Sequence, residues 1–158
     1  MKKKIYLIIF ILYSILVFTV SSIPRLSVSL PSPPIAPDKI AHFSQYFLFA
    51  MLYYLMRYSQ LTDSFNKQFN KSGKAKNNKI KPFIRNEIYL EIFFLSFLLS
   101  ILDELHQIPI PGREFCWYDV LADLLGFHFF IFSSILLRKI KKKLIKSAKK
   151  ERVFAYEK

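Results

Sequence analysis

Long apolar runs alternate with short lysine-rich ones along this chain, and that alternation leaves few folds open. Of 24 Lys and Arg, 21 fall in three blocks, residues 2–4, 57–85 and 138–158. More than half of the 158 residues are apolar, yet the formal net charge is +13. A soluble domain rarely combines the two. Basic blocks segregated to the edges of apolar runs mark cytoplasmic segments flanking membrane spans. Nucleic-acid binding is the rival reading of so much positive charge. It is set aside because the basic residues follow span boundaries and no nucleic-acid motif appears. The single cysteine, Cys116, excludes an intrachain disulfide and a multi-Cys zinc site.

Four spans are expected, at about residues 5–23, 40–58, 88–106 and 119–137. The first is an uncharged run close to the ~20 residues a helix needs to cross the hydrocarbon. A signal peptide shares its basic start but has a shorter apolar region, about 7–15 residues, so a retained span is expected. The third span is short unless it continues through Asp103 to Gln107, where Pro109 and Pro111 end it. Residues 24–37 carry five prolines and read as an extended external loop, because proline removes backbone donors and breaks helices. The external segments hold only Arg25, Lys39 and Arg113 as cations. The expected fold is therefore all-α. It is a four-helix transmembrane bundle in one integral membrane domain over 1–158, with N and C termini cytoplasmic. Residues 59–87 are expected to form a flexible basic cytoplasmic loop, and residues 138–158 a basic cytoplasmic tail.

The stretch 100–126 departs from this apolar background. It holds Asp103, Glu104, Glu114, Asp119 and Asp123, together with His106, Gln107 and Arg113. Asp103, Glu104 and Gln107 fall at spacings of three and four, compatible with one face of a last helical turn. Asp119, Asp123 and Gly126 share a face of the fourth span, where Gly126 permits close approach of a neighbouring helix. Asp38, His42 and Tyr46 form a stripe on the second span, with Gln45 beside it. Pro111-Gly112 marks a tight turn that presents Arg113. Charge between membrane helices needs internal partners or a use.

Three uses suit these side chains: binding a divalent cation, binding a polar head group through Arg113, or acid-base chemistry. The structural alternative has Arg113 in a bidentate pair with Asp103, Glu104 or Asp119, and His42 satisfied by a carboxylate or carbonyl. No metal or cofactor is assigned, since the histidine spacing matches no recognised zinc helix motif. Glu91 is expected to snorkel or to pair with loop lysines. His128 is read as a packing residue, and Cys116 as an incidental one at the interface.

With Asp38-Lys39, His42-Phe43 and Tyr46, followed by Asp103-Glu104, His106-Gln107, Pro111-Gly112-Arg113 and Asp119-Val120-Leu121-Ala122 with Gly126, the chain resembles the VanZ-like family of bacterial membrane proteins. It departs from the family pattern at Asp123, where Asn is usual, at Phe130, where a second glycine is common, and at Cys116, where a small polar residue is common. Phe130 is expected to weaken a glycine-mediated helix contact. The resemblance implies a multi-pass protein of the bacterial inner (cytoplasmic) membrane that acts at the cell envelope. The family is named for a protein linked to low-level resistance to the glycopeptide teicoplanin, and the resemblance supplies no reaction.

The candidate polar site is Asp38, Lys39, His42, Tyr46, Asp103, Glu104, Gln107, Arg113, Asp119 and Asp123, at the outer helix ends. Besides membrane lipids, its expected partner is a lipid head group, a lipid-linked cell-wall precursor or a glycopeptide, not nucleic acid. A small intramembrane hydrolase or transferase on a lipid-linked substrate is the alternative, as is a purely structural cluster. No catalytic residue is assigned.

Overall fold

Helix formation follows the apolar runs, and the breaks between helices follow proline and glycine. The computed structural model describes residues 2–24, 37–72 and 80–156. These form four helices and no strand: α1 (Lys2–Ser21), α2 (Pro37–Ser72), α3 (Ile80–Gln107) and α4 (Trp117–Tyr156). Pro37 opens α2, where a missing N–H costs nothing, and Asp38 sits in the positive first turn. The α3 helix continues through Asp103 and stops at Gln107, two residues before Pro109. Beyond it, the Ile110 N–H donates to the Gln107 carbonyl at 2.9 Å and the Arg113 N–H to the Ile110 carbonyl at 3.1 Å. Gly112 takes φ 74° in this turn, a left-handed conformation that side chains resist. The Cys116 carbonyl then accepts from the Asp119 N–H at 3.0 Å, starting α4.

Among the described residues, two helices are long and apolar enough to cross a membrane, over Lys3–Ser21 and Trp117–Ala148. The stripe of His42 and Gln45 makes α2 more polar. Glu91, Asp103 and Glu104 do the same for α3.

The helices also run past the expected spans. Residues 59–72 and 80–87, expected as flexible loop, are helical, as are residues 138–156 of the expected tail. The basic segments lack internal prolines or glycines over these stretches except Pro82, which falls in the first turn of α3 where it is tolerated. The 40 residues of α4 extend about 60 Å, twice the ~30 Å of a hydrocarbon core. Its apolar first half and lysine-rich second half thus occupy different environments. The expected extended loop, with Arg25, lies almost wholly outside the described residues.

Packing is dominated by α2 against α4, with α1 laid mainly on α2 and α3 resting on both α4 and α2. Tyr46, Phe49, Ala50, Ile88, Ile92 and Phe127 form the centre of the core. The opposite faces of α1, α3 and α4 expose large apolar residues such as Leu12, Phe94, Leu125 and Phe132. Water solvates such a belt poorly, and it suits a membrane or a partner surface. Trp117 and Tyr118 project from the start of α4, both exposed.

At the basic end, Lys3 ties α1 to Asp63 of α2 at 3.0 Å. That hydrogen bond holds the Asp63 carboxyl below the usual carboxylate range. Its support is present above the ordinary Asp range and fades as pH falls through the lowered value. Glu91 pairs with Arg57, through Nε at 2.8 Å and Nη2 at 2.5 Å, and accepts from the Tyr53 hydroxyl at 3.0 Å. Among the described residues its partners come from α2, because a planar guanidinium one helix away meets both carboxylate oxygens. His128 bonds the Leu124 carbonyl at 2.7 Å and packs edge-on against Phe93 and Phe97, the packing role expected of it.

Gly126 is where α4 meets the backbone of α2. A Cβ there would collide with the Phe43 carbonyl oxygen and lie 3.0 Å from the Phe47 nitrogen. Phe130, one turn on, is buried against Phe47 and Tyr54, so it adds aromatic packing beside the glycine contact. Gly126→Ala is expected to destabilise by about 1–3 kcal/mol, toward the upper figure because both obstacles are backbone. Exposed Leu125→Ala is expected to stay within roughly 0.5 kcal/mol. Thermal unfolding in detergent, followed by helical circular dichroism, checks the pair. Equal midpoints for the two variants would show that α2 and α4 are not in close contact.

Candidate functional site

Helix ends supply the polar residues, and the helix spacing explains why they meet. The start of α2 brings Asp38, Lys39, His42 and Tyr46. The end of α3 brings Asp103, Glu104 and Gln107, and the start of α4 brings Asp119 and Asp123. These ends lie together, and the turn carrying Arg113 closes over them. Glu104 and Asp123 are fully buried, and Gln107, Asp119 and His42 are nearly so.

Three connected layers organise the cluster. In the first, Lys39 Nζ donates to Asp119 Oδ1 and to Cys116 Sγ at 3.4 Å, and lies 3.3 Å from Asp38 Oδ2. In the second, His42 Nδ1 is 2.9 Å from Asp123 Oδ1. In the third, the Ser21 hydroxyl at the end of α1 donates to Asp103 Oδ1 at 2.5 Å. Gln107 Nε2 donates to that hydroxyl at 3.0 Å. Glu104 bridges toward the turn, its Oε2 accepting from the Cys116 N–H at 2.8 Å.

Arg113 departs from expectation. Among the described residues it makes no ion pair with Asp103, Glu104 or Asp119. Nη1 donates to Gln107 Oε1 at 3.2 Å and Nε to the Ile23 carbonyl at 3.2 Å. The turn holds it at the exposed rim, so it reaches the end of α1 and the amide of Gln107 before any buried acid. Lys39 occupies the role expected of Arg113, since it alone of the two reaches Asp119 from within the cluster. Tyr46 is buried lower down, its ring against Phe49 and Phe127.

Two hollows adjoin this cluster. A cavity of about 100 Å³ is lined by Ser21, Asp38, His42, Asp103, Gln107 and Arg113, among others. A cleft of about 510 Å³ runs down between α1, α2 and α3, walled by Phe10, Val17, Phe18, Phe49, Leu99 and Leu102. Its polar end carries Asp103 and His106. Asp103 lines both hollows. His106 stacks on Phe18 with ring centroids 4.3 Å apart and contacts the Ser22 hydroxyl at 2.9 Å.

Ser21, Ser22 and Cys116 are the participants missed by sequence reasoning. The signal for the serines was available: they end the first span on the side where the other spans place their acids. Cys116 had no such signal, since its backbone N–H carries part of its role.

The model of the VanZ/LLP1 family matches residues 4–138. No curated protein matches the chain, and no solved structure does.

Lys39→Met removes the cation that answers a buried Asp119. Breaking such a pair costs about 3–5 kcal/mol when both groups are buried. The partly exposed Lys39 side chain places the expected loss at the lower end. Lys3→Met, which breaks an exposed pair, is expected to cost less than ~1 kcal/mol. Chemical unfolding of both variants measures the contrast. A loss at Lys39 no larger than at Lys3 would mean that Asp119 does not depend on it.

Proposed function

The chain belongs to the VanZ/LLP1 family, and from that premise we propose that it is a multi-pass inner-membrane protein of the bacterial envelope that binds a lipid by its polar head group. Four spans with both termini cytoplasmic put the three basic blocks on one side. The polar cluster then faces the outer leaflet.

One observation carries the binding role. Asp103 is a wall shared by an apolar cleft and a small polar cavity. A lipid has the same division, a chain for the cleft and a head for the cavity. The cleft volume of about 510 Å³ falls in the roughly 300–1,000 Å³ range of small-molecule sites. Carboxylates, Gln107 and Arg113 offer acceptors and donors to hydroxyl, amide and phosphate groups, which suits an envelope lipid or a lipid-linked cell-wall precursor. A glycopeptide such as teicoplanin would meet the same polar groups.

A second reading, a hydrolase or transferase on a lipid-linked substrate, is favoured by the His42–Asp123 contact. A buried carboxylate on an imidazole is the arrangement that orients a general base. Turnover of envelope lipids by the purified protein, lost in His42→Asn while lipid remains bound, separates this reading from binding alone.

Leu99→Trp fills the cleft without touching the polar cluster. The full chain purified in mild detergent is expected to retain bound lipid by native mass spectrometry, and Leu99→Trp about tenfold less. Unchanged retention in a folded variant removes the cleft from the function. Topology is tested by reporter fusions at Lys74 and Lys146, both expected to report cytoplasm. An external signal from either overturns the orientation.

A further inference from the structure

Two sets of side chains within the polar cluster bring three potential ligand atoms to within 4.8 Å of one another: His42, Glu104 and Asp119, and His42, Asp103 and Asp123. Proximity of acids is common and carries little alone. Here each set also contains a fully buried carboxylate with one oxygen that has no hydrogen-bond partner, Glu104 Oε1 in the first and Asp123 Oδ2 in the second. Buried polar atoms in folded proteins are nearly always satisfied, and a buried charge without a counter-charge is more costly still. Two such oxygens beside one shared imidazole point to a ligand.

We propose that His42, with Glu104 and Asp119 in one set and Asp103 and Asp123 in the other, forms a binding site for a divalent cation. Two of these acids are already engaged, Asp103 by Ser21 and Asp119 by Lys39. The unpartnered oxygens are Glu104 Oε1 in the first set and Asp123 Oδ2 in the second. His42 belongs to both sets, so an ion held by the imidazole can draw on either carboxylate, with solvent or a ligand completing the shell. Charge supports a cation over an anion. Asp38, Asp103, Glu104, Asp119 and Asp123 outnumber the nearby cations Lys39 and Arg113. A nitrogen-and-carboxylate set suits Mn²⁺ or Zn²⁺ better than Ca²⁺, which prefers oxygen throughout.

The site needs only the cluster, not the lipid reading. If both hold, the cation would add a positive charge below Arg113 and strengthen the hold on a phosphate head group.

The full chain, purified in detergent and stripped with EDTA, is titrated with Mn²⁺ while electron paramagnetic resonance reads the free ion. Saturable binding of one Mn²⁺ per chain is expected, weakened about tenfold or more by Glu104→Gln or Asp123→Asn and unchanged by Asp63→Asn at the far end. Mn²⁺ should raise the melting midpoint of the wild-type protein, and His42→Gln should lose most of that rise. Displacement by Zn²⁺ in preference to Ca²⁺ supports the imidazole ligand, and preference for Ca²⁺ overturns it. Absence of saturable binding in the folded wild-type protein overturns the site, whatever the variants do. So does binding that survives the Glu104→Gln, Asp123→Asn double substitution, which would mean that protons satisfy the two oxygens instead. Lipid retention is read separately, so failure of either proposal leaves the other standing.

Discussion

Burying a carboxylate takes it from water that solvates it well, and the loss must be offset by groups from elsewhere in the chain. At one end of this protein that requirement involves every helix. Asp119 at the start of α4 is met by Lys39 from α2, Asp103 at the end of α3 by Ser21 from α1, and Asp123 by His42. Each bond crosses between helices. The polar cluster therefore defines which helix ends are neighbours, independently of whatever ligand it serves. In lipid this matters more than in water, because apolar side chains gain little by leaving acyl chains for one another.

The rest of the packing follows from close fit. Gly126 lets α4 approach the backbone of α2, and the aromatic rings of Phe47, Phe49 and Phe127 fill the space around that contact. At the far end the Arg57–Glu91 pair again joins α2 to α3 through both oxygens of a carboxylate. Between these two polar ends α1 meets α3 only sparingly. The apolar cleft lies along that seam. A helix held by Lys3–Asp63 at one end and Ser21–Asp103 at the other, and loosely along its length on one side, leaves room for a chain-like ligand without loss of anchorage.

The sequence made the helices legible because apolar period and proline placement are local signals. It also made the polar faces legible, since Asp38, His42 and Tyr46, and separately Asp119 and Asp123, repeat at helical spacing. The ends of α2, α3 and α4 at the basic side were not legible. Lysine-rich segments look like loop because their charge excludes them from lipid, but charge does not prevent a lysine from being helical. Partner choice was equally hidden. Arg113 and Lys39 are both cations at the same end, and only the turn geometry decides that the first faces the rim and the second the interior. Ser21 is marked only by its place at the end of the first span, beside Ser22, because an uncharged hydroxyl stands out little from its surroundings.

That division of the two cations has a chemical consequence. Lys39 is committed to Asp119 inside the cluster, whereas Arg113 spends its donors on an amide oxygen and a backbone carbonyl, both neutral acceptors. Neutral partners are exchanged for an anionic one at a gain, because a carboxylate or phosphate adds an opposite charge and can accept two parallel N–H bonds from the guanidinium. Arg113 is thus the cation at the mouth of the small cavity with most to gain from an incoming phosphate or carboxylate, while the acids below it favour cations, hydroxyls and amides. The site is polarised from rim to floor, and a head group that carries an anion above and donors beneath is the one that matches both.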